Sequence, residues 1–178
     1  YISLPRGCLG ELQTMLQELN CTIKIEDLRT TGKPIGFSFH GELTTNQQLA
    51  ANDLMKHDIG IFVAPPGSGK TVLGTYLVSA RKCNTLVLVH RQPLLEQWRA
   101  QLAAFLGVTP KEIGQVGSGK RKITGKIDVA MIQSLSRKDE VDDCVAEYGQ
   151  VIVDECHHLS ATSFERVLNQ VKARYIVG

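Results

Sequence analysis

The chain has 178 residues, of which 43% are hydrophobic and 21% charged, the composition of an ordinary globular protein with one substantial core. Its formal net charge of +2 neither requires nor excludes a nucleic-acid partner. No apolar run approaches the roughly 20 residues of a membrane helix, and the five cysteines are too scattered for a disulfide framework or a zinc knuckle. We therefore expect reduced thiols, no zinc and no membrane contact.

The first 42 residues have the pattern of a small α+β unit. Apolar and polar residues alternate at the very start, over residues 21–26 and over residues 35–39. Between the first two stretches lies one helix face, formed by Leu9, Leu12, Leu16 and Leu19. The sequence therefore predicts a β-α-β-β unit over residues 1–42, followed by a larger unit over residues 43–178.

The larger unit alternates between predicted strands and helices. The strands are predicted at residues 59–64, 85–89, 113–116, 127–132, 151–153 and 175–177. Short, mostly apolar strands that alternate with helices indicate a parallel sheet covered by helices on both faces. The predicted fold class is therefore α/β.

A glycine-rich stretch follows the first of these strands, which we expect to be buried. It consists of Ala64, Pro65, Pro66, Gly67, Ser68, Gly69, Lys70 and Thr71. A strand, a glycine loop, Lys-Thr and a helix, in this order, are typical of a phosphate-binding loop. Small residues let backbone N–H groups surround a phosphate, and the helix N-terminus favours negative charge. We predict that Lys70 contacts the β- and γ-phosphates and that the Thr71 hydroxyl binds Mg²⁺, although Ala64 stands where the usual pattern has Gly.

A second stretch, Gly114 to Lys120, matches the first seven positions of that pattern more closely. It lacks the rest of the site, because Arg121 replaces the hydroxyl residue and no amphipathic helix follows. We predict a solvated hairpin turn there. Contact with nucleic-acid phosphates is the alternative, since residues 111–126 hold five Lys/Arg and one acid.

The strand at 151–153 ends in Asp154, Glu155, Cys156 and His157. Such a strand carries its last residues to the carboxyl edge of the sheet, where ligands bind in open α/β folds. Nucleotide hydrolysis needs a carboxylate for the metal and a base for the attacking water. We predict that Asp154 coordinates Mg²⁺ through water and that Glu155 is the general base. Adjacent Cys and His residues cannot easily converge on one ion, so we expect no zinc here.

Asp154-Glu-Cys-His157 resembles the DExH box of superfamily-two helicases and translocases. Together with the phosphate loop it makes residues 43–178 similar to the first RecA-like lobe of these motors, a P-loop NTPase fold. The resemblance implies ATP and Mg²⁺ as cofactors and nucleic acid as a partner, with DNA favoured over RNA. It also implies a second RecA-like lobe in the same chain, and a role for His157 in coupling nucleotide state to strand binding.

The resemblance also implies an adenine contact. Gln47, in Leu43-Thr-Thr-Asn-Gln47, stands where relatives carry a glutamine that recognises adenine. Relatives often have Arg and an aromatic residue beside it, whereas Thr44 and Asn46 stand here. The alternative is an exposed glutamine at the start of a helix.

Two further stretches resemble motifs that contact the nucleic-acid backbone. The segment Val89 to Trp98 contributes Arg91 and Gln92, with ordinary loop polarity as the alternative. The segment Met131 to Leu135 contributes the second pair, Gln133 and Ser134. We predict that Trp98 itself belongs to the core.

The first 42 residues, with Leu4-Pro-Arg-Gly7, resemble the small unit before the motor in the XPB-like and type III restriction-like branch, where it is linked to recognition of DNA structure. We expect the chain to stop before the Ser/Thr-Ala-Thr motif of its relatives and before the second lobe with its arginine finger. That arginine is worth roughly 10³–10⁵ in rate. We therefore expect these residues alone to bind nucleotide weakly and to hydrolyse it slowly, if at all.

The sequence thus favours the ATP-binding lobe of a DNA helicase or translocase of a repair, restriction or defence type. Its expected location is the bacterial cytosol or nucleoid, or the nucleus of a eukaryote. One alternative is a non-enzymatic, nucleotide-gated nucleic-acid-binding module with a vestigial site. Another is a small-molecule kinase, which would need a lid and an acceptor site that the sequence does not indicate.

Overall fold

The computed structural model describes residues 6–137, 140–156 and 161–178. The helices are α1 (Leu9–Glu18), α2 (Thr45–Met55), α3 (Lys70–Arg81), α4 (Gln92–Leu106), α5 (Ile132–Leu135) and α6 (Ala161–Gln170). The strands are β1 (Ile59–Gly60), β2 (Thr85–Val89), β3 (Gly114–Gly117), β4 (Lys120–Lys122), β5 (Ile127–Met131), β6 (Ser136–Arg137), β7 (Glu140–Val141), β8 (Gln150–Val153) and β9 (Tyr175–Val177). In these ranges no helix is long and apolar enough to cross a membrane.

Seven strands form one sheet in the order β1-β9-β8-β2-β5-β3-β4. All neighbours in it are parallel except β3 and β4, which form an antiparallel pair. The strand β2 lies between β8 and β5, and its five residues are all buried. The predicted α/β fold with a mostly parallel sheet is confirmed.

Both faces of this sheet are covered, as predicted. Alternate residues of β2 point to opposite faces, so Val87 and Val89 join a core with α3 and α4, whereas Leu86 and Leu88 join a core with α5 and α6. A third cluster joins α2, α3 and β9. The layers place the carboxyl ends of β2, β5 and β8 at one edge, beside the start of α3.

The prediction of a buried strand over residues 59–64 is wrong in length and burial. Only Ile59 and Gly60 form β1, which pairs with β9 alone among the described strands. Ile61 is 70% and Val63 89% exposed. An apolar run is compatible with both a central and an edge strand, and an edge strand has a neighbour on one side only.

The predicted strands at residues 21–26 and 35–39 do not form, which is a second correction; the one predicted at the chain start lies outside the described residues. Residues 29–42 instead cross the larger unit without forming a strand. Their backbone bonds go to that unit, including Ile35 N–H to Lys82 O at 3.0 Å and His40 N–H to Phe105 O at 2.7 Å. The alternation of apolar and polar residues arises because Ile35, Phe37 and Phe39 pack on the larger unit, whereas Gly36 and Ser38 are exposed.

The predicted helix near the N-terminus is confirmed as α1, but its leucine face is not buried in the described structure. The residues of α1 and of the segment after it leave large apolar side chains exposed, including Met15, Leu19 and Leu28. Among the described residues of the N-terminal unit, residues 29–42 form the backbone hydrogen bonds to the larger unit, and no residue of α1 is buried.

Candidate active site

The glycine-rich loop connects β1 to α3, as the sequence predicts. Gly67 and Gly69 have φ of +80° and +78°, a left-handed conformation that glycine adopts without steric strain. Lys70 is the first residue of α3, so the helix N-terminus faces the loop. The first N–H groups of a helix have no partner within the helix and favour an anion.

Lys70 and Glu155 lie together, although 85 positions separate them. The Lys70 Nζ is 3.3 Å from Glu155 Oε1 and 3.4 Å from the carbonyl oxygen of Ala64. The side chains of Lys70 and Glu155 are 30% and 26% exposed, so both charges are partly removed from water. Glu155 has a φ of +53°, which turns the chain sharply after β8.

Asp154 is fixed through both its backbone and its side chain. Its N–H donates to Leu88 O at 3.0 Å, which extends the pairing of β8 with β2 by one residue. Its Oδ2 accepts a hydrogen bond from Trp98 Nε1 at 2.8 Å. The predicted burial of Trp98 is correct, but its contact with Asp154 was not predicted. A buried indole N–H usually donates to an acceptor, so the predicted burial of Trp98 could have indicated that it has a hydrogen-bond partner.

The polar groups of this edge fit a magnesium nucleotide. Ser68 Oγ is buried and has no hydrogen-bond partner among the described residues, so the loop leaves a donor for an anion. The Thr71 hydroxyl and the Asp154 carboxylate are oxygen ligands of the kind that Mg²⁺ prefers. Thr71 follows Lys70 in the first turn of α3.

Two adjoining cavities share Ala64, Lys70 and Glu155. One, of about 380 Å³, extends past Trp98 and Asp154 to the last residues of the chain. The other, of about 550 Å³, extends to the N-terminus of α4 and includes Arg91. Both volumes lie in the range of small-molecule sites.

Gln47, on α2, forms a hydrogen bond to the glycine-rich loop. Its Oε1 accepts from Thr44 N–H at 2.9 Å, which completes a capping box, and its Nε2 donates to Ser68 O at 2.9 Å. It is only 8% exposed, so the alternative of an exposed glutamine is wrong. The adenine contact stays a prediction.

The predicted nucleic-acid residues divide between two places. Arg91 and Gln92 are at the start of α4 after β2, and Gln133 follows the neighbouring strand β5. Gln133 Nε2 donates to His90 O at 3.2 Å, which joins these two strand ends. Ser134 instead lines a separate groove of about 780 Å³ beside the β3–β4 hairpin. His157 lies outside the described residues.

The second glycine-rich stretch is a β-hairpin, as predicted. Gly117 pairs with Lys120, and Ser118 and Gly119 form the two-residue turn with φ of +53° and +74°. Positive φ at both central residues is typical of the tight turns that join antiparallel strands. Arg121, on β4, forms an ion pair with Asp142.

The chain is similar to a known protein family and to several curated helicases. The model of the family described as type III restriction enzyme, res subunit, matches residues 40–178. The chain is 32% identical over 139 residues to the DNA 3'-5' helicase XPB of Mycobacterium tuberculosis, an alignment that covers 74% of this chain and 25% of that protein. The chain spans about a quarter of the length of this and several other curated helicases that it matches.

Solved structures show the same fold. The UvsW helicase of bacteriophage T4 superposes with a TM-score of 0.69 at 14% identity, over 98% of this chain and 70% of that one. The SWI2/SNF2 ATPase core of Sulfolobus solfataricus, in complex with dsDNA, superposes with a TM-score of 0.63 at 16% identity, over 83% of this chain and 33% of that one.

Proposed function

The chain belongs to the family of the type III restriction enzyme res subunit, in the XPB-like branch of the superfamily-two helicases, and we propose that it forms the ATP-binding lobe of a DNA-dependent ATPase. The pairing of Lys70 with Glu155 at the edge where Asp154 also lies carries this proposal. It brings together a cation for the phosphates, a base for the attacking water and a carboxylate for the metal ion. The family match from residue 40 supports a boundary near residue 42 between the two units.

The loop from Gly67 to Lys70 would hold the triphosphate through backbone N–H groups and the Lys70 ammonium. Thr71 would hold Mg²⁺ directly and Asp154 through water; the bound ion would withdraw charge from the phosphate oxygens. In the structure Lys70 is paired with Glu155. A triphosphate offers Lys70 a more highly charged partner, which leaves the Glu155 carboxylate to accept a proton from the attacking water.

The carboxyl edge next to this site supports a nucleic-acid contact. Arg91, Gln92 and Gln133 would bind backbone phosphates there, and Ser134 would do so from the hairpin groove. DNA is favoured because the similar proteins include a named DNA helicase and an ATPase core in complex with dsDNA. His157 would couple the two ligands, and a second RecA-like lobe in cis would complete the hydrolytic site.

The test is ATP hydrolysis by the protein that contains this lobe, with no nucleic acid, with DNA and with RNA. We expect stimulation by DNA, and we expect Glu155→Gln to bind ATP but to lose turnover, because it removes only the base. Glu165→Gln, which changes an exposed carboxylate on α6, is the matched control and should hydrolyse ATP normally. ATP binding without turnover on any nucleic acid would instead identify a non-enzymatic, nucleotide-gated module.

A further inference from the structure

One side chain of the helix α4 bonds directly to the candidate metal carboxylate. Trp98 lies in its second turn, is 2% exposed, and donates from Nε1 to Asp154 Oδ2 at 2.8 Å. The indole N–H can only donate, and Asp154 is ionised when it binds a cation, so the two groups are matched. This hydrogen bond connects the core of the lobe to the carboxylate proposed for Mg²⁺.

Close packing holds the indole ring in place. A Cβ added to Gly74 of α3 would lie 2.6 Å from Cη2 of Trp98, so the glycine makes room for the ring. The same position would be 3.7 Å from Cδ1 of Ile152, on the strand that carries Asp154. The ring therefore fills the space between the phosphate-loop helix and β8, and its N–H cannot easily turn away from Asp154.

We propose that Trp98 is a positioning residue for the magnesium carboxylate. It holds Asp154 Oδ2 and leaves Oδ1 to accept a hydrogen bond from the water shell of the ion. Outer partners of this kind fix the orientation of a ligand, and their removal typically weakens metal affinity by roughly 10- to 100-fold. The proposal rests on the proposed function, because it requires Asp154 to serve Mg²⁺.

Trp98 is the single tryptophan of the chain, so its fluorescence reports directly on this contact. MgCl₂ is titrated into the chain in the presence of ADP, and the tryptophan emission is recorded. We expect a saturable change in emission when Asp154 engages the ion. Asp154→Asn, which keeps the shape of the side chain but not its charge, should still bind ADP in EDTA and show no such change.

The second test separates positioning from packing. Trp98→Phe should leave ADP affinity in EDTA unchanged and raise the Mg²⁺ concentration at half-saturation roughly tenfold or more. Phe105→Leu is the control: Phe105 is on the same helix and stacks on Phe39 at 5.5 Å between centroids, away from Asp154. It should lower thermal stability and leave the Mg²⁺ half-saturation unchanged. If Trp98→Phe fails to fold, the emission titration of the wild-type chain still tests the proposal, because constant Trp98 emission during Mg²⁺ binding would contradict it.

The possible failures are distinguishable. If Mg²⁺ strengthens ADP binding while Trp98 emission stays constant and Trp98→Phe titrates like wild type, the positioning role is wrong and the proposed function stands. If Phe105→Leu shifts the Mg²⁺ midpoint as much as Trp98→Phe does, the effect is general packing and the positioning role is also wrong. If neither ADP nor ATP binds, with or without Mg²⁺, the proposed function fails and this inference fails with it.

Discussion

Two stretches of the chain share the letters Gly-Ser-Gly-Lys, at residues 67–70 and 117–120, and have different structures. The first leads into α3, and its Lys70 pairs with Glu155; the second is a hairpin turn whose Lys120 is exposed. In both, the second glycine has positive φ. The shared residues therefore allow the same left-handed backbone in both stretches. Only the first stretch is followed by a helix and faces carboxylates, which makes it the candidate phosphate site.

The strongest test of this difference exchanges the residue after the lysine. Thr71→Arg replaces the residue after Lys70 with the one that follows Lys120. We expect it to lose Mg²⁺-dependent ATP binding, because it removes an oxygen ligand for the ion and places a positive charge there. Arg121→Thr gives the second stretch the ending of a phosphate loop and should gain no site. Calorimetric titration of ATP into each variant measures both. Tight binding by Thr71→Arg would show that the hydroxyl is dispensable.

The two second glycines provide a matched pair with a smaller effect. Gly69→Ala and Gly119→Ala both place a Cβ on left-handed backbone, which should lower the unfolding free energy by about 1–2 kcal/mol. At Gly69 that Cβ would also lie 2.4 Å from Gln47 Nε2, whereas at Gly119 no described atom is within 4 Å. We expect only Gly69→Ala to weaken ATP binding. Urea unfolding and ATP titration measure the two effects, and equal ATP affinities would contradict the prediction.

Gln47 supports the first stretch, and its removal should have a moderate effect. Gln47→Ala deletes one half of the capping box and the bond to Ser68 O, so we expect about 1–2 kcal/mol lower unfolding free energy. Gln48→Ala is the control, because the Gln48 side chain bonds the exposed Asn52 on its own helix, and such a pair contributes only about 0.2–0.5 kcal/mol. Comparing ATP with GTP binding in Gln47→Ala tests the adenine contact, since an intact preference for ATP would rule it out.

The smallest effect concerns the hairpin and pH. Burial raises the pKa of Asp142, but hydrogen bonds from Cys144 and the Arg121 guanidinium outweigh it and hold the pKa below its usual range. A lowered folded pKa means that this stabilisation is present above the unfolded value, about 3.9, and is lost as the pH falls through the folded value. Arg121→Ala should raise the Asp142 pKa in an NMR titration and leave ATP binding at pH 7 unchanged. An unaltered pKa would show that Arg121 does not contribute.

The two parts of the candidate site could be predicted because each consists of consecutive residues. The phosphate loop and Asp154-Glu155 each sit at the end of a strand, and parallel strands bring such ends to one edge. The sequence could not show that Lys70 pairs with Glu155 or that Trp98 bonds Asp154, since both contacts depend on how α3 and α4 pack on the sheet.

The incorrect predictions have one cause. Alternation over residues 35–39 and the apolar run over 59–64 both indicate strands, but only Ile59 and Gly60 form one. Neither pattern identifies the partner of the segment. Residues 35–39 pack on the larger unit without joining its sheet. The strand β1 lies at the edge of that sheet, with one described neighbour.

One titration tests directly whether the surrounding structure, and not the shared Gly-Ser-Gly-Lys sequence, makes the nucleotide site. ATP with Mg²⁺ is titrated into the wild-type chain, Lys70→Ala and Lys120→Ala, two lysines that follow the same three residues. We predict equal affinity for wild type and Lys120→Ala, and no measurable binding for Lys70→Ala, because only Lys70 faces the site. Unchanged binding by Lys70→Ala, or an equal loss in Lys120→Ala, would contradict the account.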